Sequence, residues 1–190
     1  MRKIIYIILL TLSSLAYSNI LNESANFIKP WEGFARTHVK DLSIIDNREY
    51  VGYGTSVEFS KQYGYNGYLI SKKRAEYILK IRISQNIKEL RNIVDFDNMP
   101  MNVQVAVISA YYNSPLLVGP NLIKFLNNKD YEGASLELAW GHNPRSFYGL
   151  VKRRFAEANL IRRYLGLDEL YTPVSIQHFN ILKLSMYPVS

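Results

Sequence analysis

The chain has 190 residues, enough for one domain with a buried core, and its 48% hydrophobic and 21% charged content is that of a folded soluble protein. It has a formal net charge of +7 and no cysteine. Disulfides, thiol nucleophiles and thiolate metal sites are therefore excluded, and stability must come from core packing. The 15 tyrosines accompany abundant Ile, Asn and Lys, which points first to biased genome composition, although such rings can also line a sugar-binding cleft.

Residues 1–18 have the layout of a secretion signal. Arg2 and Lys3 form the positive end, Ile4 to Leu12 the apolar run, and Ala16-Tyr17-Ser18 a small-x-small processing site before Asn19. The run is short for a bilayer span, so no permanent membrane span is expected; an uncleaved, tethering signal is the alternative. Loss of Arg2 and Lys3 lowers the formal charge from +7 to +5. A basic exported protein is expected to meet anionic wall polymers or lipid headgroups through nonspecific attraction, and not nucleic acid.

Ser24 to Trp31 reads as a short helix that Pro30 should kink or end early. From Thr37 to Val57 the pattern becomes strand-like, broken by Asp46-Asn47, Gly52 and Gly54, which predicts a small hairpin sheet. Tyr63 to Gly67 reads as a loop. Ser71 can cap a long helix with an apolar stripe at Ala75, Leu79, Ile83, Ile87, Leu90 and Val94, a connector between two lobes. Asn98 and Pro100 open a helix that runs to Asn113, and shorter helices are predicted near Leu122–Leu126 and Tyr131–Ala139. The last starts near Leu150 and stops at Gly166. Residues 168–190 show no clear period and form a tail, docked or not. The predicted organisation is thus a signal over 1–18, a catalytic domain over 19–167 and the tail.

Two carboxylates stand out. Glu32 lies among Trp31, Gly33 and Phe34, an apolar setting suited to a carboxyl that donates a proton. Asp41 lies beside Lys40 in a wetter, cationic setting suited to a carboxylate that accepts one. A helix followed by a hairpin places them on different elements facing one groove, as glycosidic-bond cleavage requires. His38, His142 and His178 are scattered without metal-ligand spacing and read as non-catalytic, and Trp140 reads as core.

Residues 25–165 resemble the phage-type lysozyme family of glycoside hydrolases, which includes T4-like and lambdoid endolysins. Glu32, Gly33 and Asp41 match its acidic motif, and Tyr50-Val51-Gly52-Tyr53-Gly54 aligns with its Thr-x-Gly-x-Gly hairpin. Val105 to Asn113 resembles its central helix, and Gly149 to Glu157 its arginine-rich C-terminal helix. There are departures. Tyr50 replaces the family threonine, the preceding turn is three residues longer, Asn47 takes the threonine place by simple spacing, and Thr55 stands where histidine is usual.

The resemblance implies a mainly helical α+β lysozyme-like fold, with a small β-hairpin lobe and a larger helical lobe. It implies hydrolysis of the β-1,4 bond between N-acetylmuramic acid and N-acetylglucosamine, acting on peptidoglycan as a monomer without metal or cofactor. Glu32 is then the acid, Asp41 the base, and Tyr50 or Asn47 positions a water. Tyr53, Thr55, Asn113 and Arg153 are the expected substrate contacts. The resemblance also implies that, on the helix carrying Lys152, Arg153, Arg154, Arg162 and Arg163, one of these cations reaches the catalytic floor and pairs with a carboxylate while the others stay solvated. Two other readings remain, a noncatalytic wall-binding relic and a cationic membrane-active protein.

Overall fold

The computed structural model describes residues 2–40, 49–141, 148–175 and 177–180, with side chains from Leu15 onward. Asp41, Asp46, Asn47 and His142 lie outside the described residues. The chain forms two compact units, residues 1–85 and 86–190.

The first unit opens with helix α1, Arg2–Glu32. It continues across the predicted processing site and through Pro30, where the sequence suggested a kink or an early end. Proline removes one backbone donor, but here only two helical residues follow it, so little of the hydrogen-bond ladder is lost. Termination comes instead from Gly33, whose φ of +67° is a left-handed cap. Its amide donates to the Lys29 carbonyl at 3.1 Å.

Ile20, Ser24 and Ile28 are buried at four-residue spacing, and Glu32 is the next member of that stripe. Tyr17 also belongs to the packed helix, its hydroxyl 2.7 Å from Ser84 Oγ. Lys29 pairs with Glu76 at 3.2 Å, tying α1 to the long helix below.

Three antiparallel strands follow in the order β1 (Ala35–Lys40), β2 (Glu49–Gly52) and β3 (Thr55–Ser56). Ala35 pairs with Gly52 and Val39 with Tyr50, so β1 takes four steps where β2 takes two, which makes a bulge. Gly52-Tyr53-Gly54 forms the tight turn into β3, with φ of +68° and +74° at its two glycines.

Helix α2, Val57–Gln62, lies where the sequence reading had no helix. Its signal was present: Ser56 accepts from the Phe59 amide at 3.3 Å as an N-cap, and Glu58 stands in the first turn. Helix α3, Lys72–Leu90, starts as predicted, with Ser71 Oγ accepting from the Arg74 amide. The unit boundary falls within it, at Gln85. Its apolar stripe is buried as expected, although Val94 lies beyond the helix end.

The second unit is helical: α4 (Met101–Asn113), α5 (Pro120–Asn127), α6 (Tyr131–Leu136) and α7 (Tyr148–Leu165). The predicted helix to Ala139 ends earlier, at Leu136, and continues as a π turn over Glu137–Gly141. Gly166 closes α7 with two bonds, its amide to the Arg163 carbonyl and the Leu167 amide to the Arg162 carbonyl. That is the Schellman pattern.

The tail docks, at least to residue 180. Asn159 bonds both the amide and the carbonyl of Leu170. Phe179 is fully buried, stacked on Trp140 at 5.5 Å and edge-on to Phe155. Trp140 is core, as read from the sequence.

Candidate active site

Glu32 caps the C-terminal end of α1, and the Gly33 turn delivers the chain directly into β1. Its carboxylate lies over the β2–β3 turn. A Cβ placed on Gly54 would stand 2.5 Å from Glu32 Oε2 and 3.2 Å from its Cδ. A side chain on residue 54 would have to displace the carboxylate from this position, and the positive φ independently favours glycine. The half-buried Glu32 thus packs against the glycine-rich turn.

Next to it, Tyr53 is 9% exposed, with its ring tilted against Phe34 at 5.4 Å. The Lys72 ammonium lies 5.8 Å from the Phe34 ring centroid. Tyr50 is half-buried on β2, opposite Val39 and Ser56. Thr55, expected to contact substrate, is 4% exposed. Its hydroxyl donates to the Val51 carbonyl at 3.0 Å and lies 3.0 Å from Ser60 Oγ, so it shapes the turn that carries Gly54. Trp31 is 37% exposed beside Glu32, with Phe27 one turn back on the same side.

In the second unit, Asn113 is the half-exposed last residue of α4. Arg153 was also expected at the substrate, with its neighbour solvated. Instead both Arg153 and Arg154 are buried, at 3% and 1% exposure, and both engage Glu157. Lys152 is exposed, as expected of the cluster. The Arg153 Nε lies 3.2 Å from Glu157 Oε1, and its Nη2 donates to the Ser109 carbonyl at 3.1 Å. Arg154 Nη2 donates to the same Glu157 oxygen at 2.8 Å, and Ser109 Oγ donates to it at 2.6 Å.

Burial pushes the Glu157 carboxyl upward, against the opposing pull of Arg154, Arg153 and the Ser109 hydroxyl. The reason is desolvation. Glu157 and Ser109 were not singled out from the sequence, although Arg153, Arg154 and Glu157 at three- and four-residue spacing carried the signal. No group of three or more His, Asp or Glu side chains among the described residues is placed to hold a metal.

The helix that ends in a carboxylate over a glycine turn, the small bulged sheet and the helical second unit together define a lysozyme-like α+β fold. Solved structures share that fold, among them the following three. The muramidase domain of SpmX from Asticaccaulis excentricus matches at TM-score 0.59 and 18% identity, covering 73% of this chain and 93% of that one. The active form of the phage P1 endolysin Lyz matches at TM-score 0.62 and 18% identity, covering 75% and 84%. A point mutant of phage P22 lysozyme matches at TM-score 0.55 and 20% identity, covering 73% and 94%. No curated protein matches the chain in sequence.

The phage lysozyme family model matches residues 29–157, more than half of the chain. The chain belongs to the phage lysozyme family and is a glycoside hydrolase that acts on peptidoglycan.

Proposed function

We propose that the enzyme cleaves the β-1,4 bond between N-acetylmuramic acid and N-acetylglucosamine with inversion. The observation that carries this reading is the Glu32 carboxylate packed against Gly54 of the β2–β3 turn, at the end of α1 where the chain enters the sheet. Glu32 gives its proton to the glycosidic oxygen as the bond from that oxygen to the anomeric carbon breaks. Water attacks the opposite face of the ring and gives up its proton to Asp41. Tyr50 or Asn47 orients that water. Inversion requires carboxyl groups about 6.5–9.5 Å apart, leaving room for the water between them.

Tyr53 and Asn113 contribute to substrate binding in this reading, and Thr55 supports the turn. Arg153 acts from within the second unit, holding the end of α4 to α7 through Ser109. Residues 1–18 direct export, which brings a basic enzyme to an anionic wall. No helix among the described residues is long and apolar enough to cross a membrane.

The test is release of reducing ends from purified peptidoglycan by the enzyme and by Glu32→Gln. Loss of release in the variant, with an inverted product anomer, supports the full reading. Retention of the anomer overturns the water mechanism. Binding without release by either protein would make the chain a wall-binding relic.

A further inference from the structure

The first unit carries a second organised surface, apart from the Glu32–Gly54 contact. Tyr68 and Leu69 are 76% and 57% exposed, and Val39 on β1 is 49% exposed. The loop that carries Tyr68 and Leu69 is bonded to β1. The Ile70 amide donates to the Arg36 carbonyl at 2.9 Å, and the Tyr65 hydroxyl lies 3.4 Å from the Tyr68 carbonyl and 3.5 Å from His38 Nδ1. Tyr65 and Ile70 are buried, so they anchor the loop while Tyr68 and Leu69 stand outward.

Exposed cations accompany this loop: Arg36, whose carbonyl accepts from Ile70, and Lys73 and Arg74 a few residues further along the chain. The Arg74 guanidinium lies over Tyr77 at 5.6 Å, and Nη1 donates to the Tyr63 carbonyl at 3.4 Å. The stretch from Phe59 to Ala75 contains no acidic residue; the nearest are Glu49, across from Lys40, Glu58, and Glu76, which is paired with Lys29 and Lys80. Like charges gathered on one face repel one another and favour an anionic counter-surface.

We infer that this face docks on an anionic phospholipid bilayer. A glycan strand uses aromatic faces and hydrogen-bonding groups, and it gains nothing from a protruding leucine and valine. The headgroup–acyl boundary gains from both: aliphatic tips bury in it, tyrosine sits at its polar edge, and lysine and arginine reach the phosphates. This contact is peripheral and independent of the hydrolytic chemistry. It holds the enzyme at the membrane by its small sheet.

The chain's lack of cysteine permits a local test on the full-length protein. Leu69→Cys is labelled with a polarity-sensitive fluorophore, and Asn92→Cys, exposed in the second unit, serves as control. Vesicles mixing phosphatidylglycerol with phosphatidylcholine should blue-shift the label at 69 and not at 92. The shift should fade with salt and be absent with phosphatidylcholine alone. Adding Lys73→Gln and Arg74→Gln should raise the lipid needed for half the shift about thirty-fold, each basic group near an anionic surface being worth roughly a fivefold factor.

Anchoring by the N-terminal apolar run alone would leave the label at 69 unshifted and overturn the inference. So would equal shifts at both labels, or a shift with purified wall sacculi but not with vesicles; the last would reassign the face to wall polymer. Wild-type release of reducing ends by Lys73→Gln/Arg74→Gln is the control for folding.

Discussion

The carboxylate of Glu32 occupies the space that a side chain on Gly54 would need, with Oε2 2.5 Å from the absent Cβ position. The end of a helix and the turn of a hairpin are thus fitted to each other at one atom. Gly52 offers a comparison in the same turn: its φ is also positive, but its missing Cβ faces Ala75, at 3.0 Å, and not Glu32.

Gly54→Ala should therefore lower kcat at least tenfold by displacing the carboxylate. Gly52→Ala should leave kcat within a few-fold. Both should lose about 1–3 kcal/mol of stability from strained backbone. Activity on purified peptidoglycan and urea unfolding of both variants check this; equal loss of activity would refute the role given to Gly54.

Glu157 is the shared acceptor of Arg153, Arg154 and Ser109 in a fully buried site. Glu157→Ala leaves two buried guanidinium groups without that carboxylate and should cost about 3–5 kcal/mol. Ser109→Ala should cost about 1–3 kcal/mol. Urea midpoints measure both, and the double variant should cost less than the sum because the groups share one network.

Two carboxyls should give opposite pH dependences. Hydrogen bonds from Lys80 and Lys29 hold Glu76 below the ordinary carboxylate range. Its contribution is fully present above the unfolded value and is lost as pH falls through the folded one. Burial raises Glu157, so its contribution is present below the unfolded value and declines as pH rises through the folded one. Stability measured against pH for Glu76→Gln should lose part of the acid limb, whereas Glu157→Gln should lose the opposing slope.

Phe179 covers Trp140 and Phe155. Phe179→Ala should cost about 3–5 kcal/mol, and removal of residues 168–190 should expose Trp140. Tryptophan emission should move to longer wavelength in the truncated chain, against a constant background from Trp31. Unchanged emission would mean that the tail does not cover Trp140.

Tyr17 and Ser84 form a hydrogen bond across the predicted processing site. Ser84→Ala should cost about 1 kcal/mol in a chain that retains Tyr17 and close to nothing in residues 19–190. Thermal unfolding of the four proteins tests this as a cycle.

Much of this was legible along the chain because it depends on neighbours. Gly166 ends α7 by backbone freedom, Ser71 caps α3, and the stripe from Ala75 to Leu90 is buried by helical period. Helix α2 escaped because six residues give too little periodicity to outweigh the turn residues that follow it.

The sequence by itself determined most of the element types and the family, since each rests on residue types at short spacing. Only the tertiary structure decided which partner each polar group takes. Arg153 and Thr55 read as substrate contacts, yet they turn inward to Ser109, Glu157, Val51 and Ser60. It also decided that Glu32 rests on Gly54, and that Phe179 closes over Trp140. These contacts join residues far apart in the chain, and a buried polar or aromatic group is paired by what folding brings against it, which no local pattern encodes.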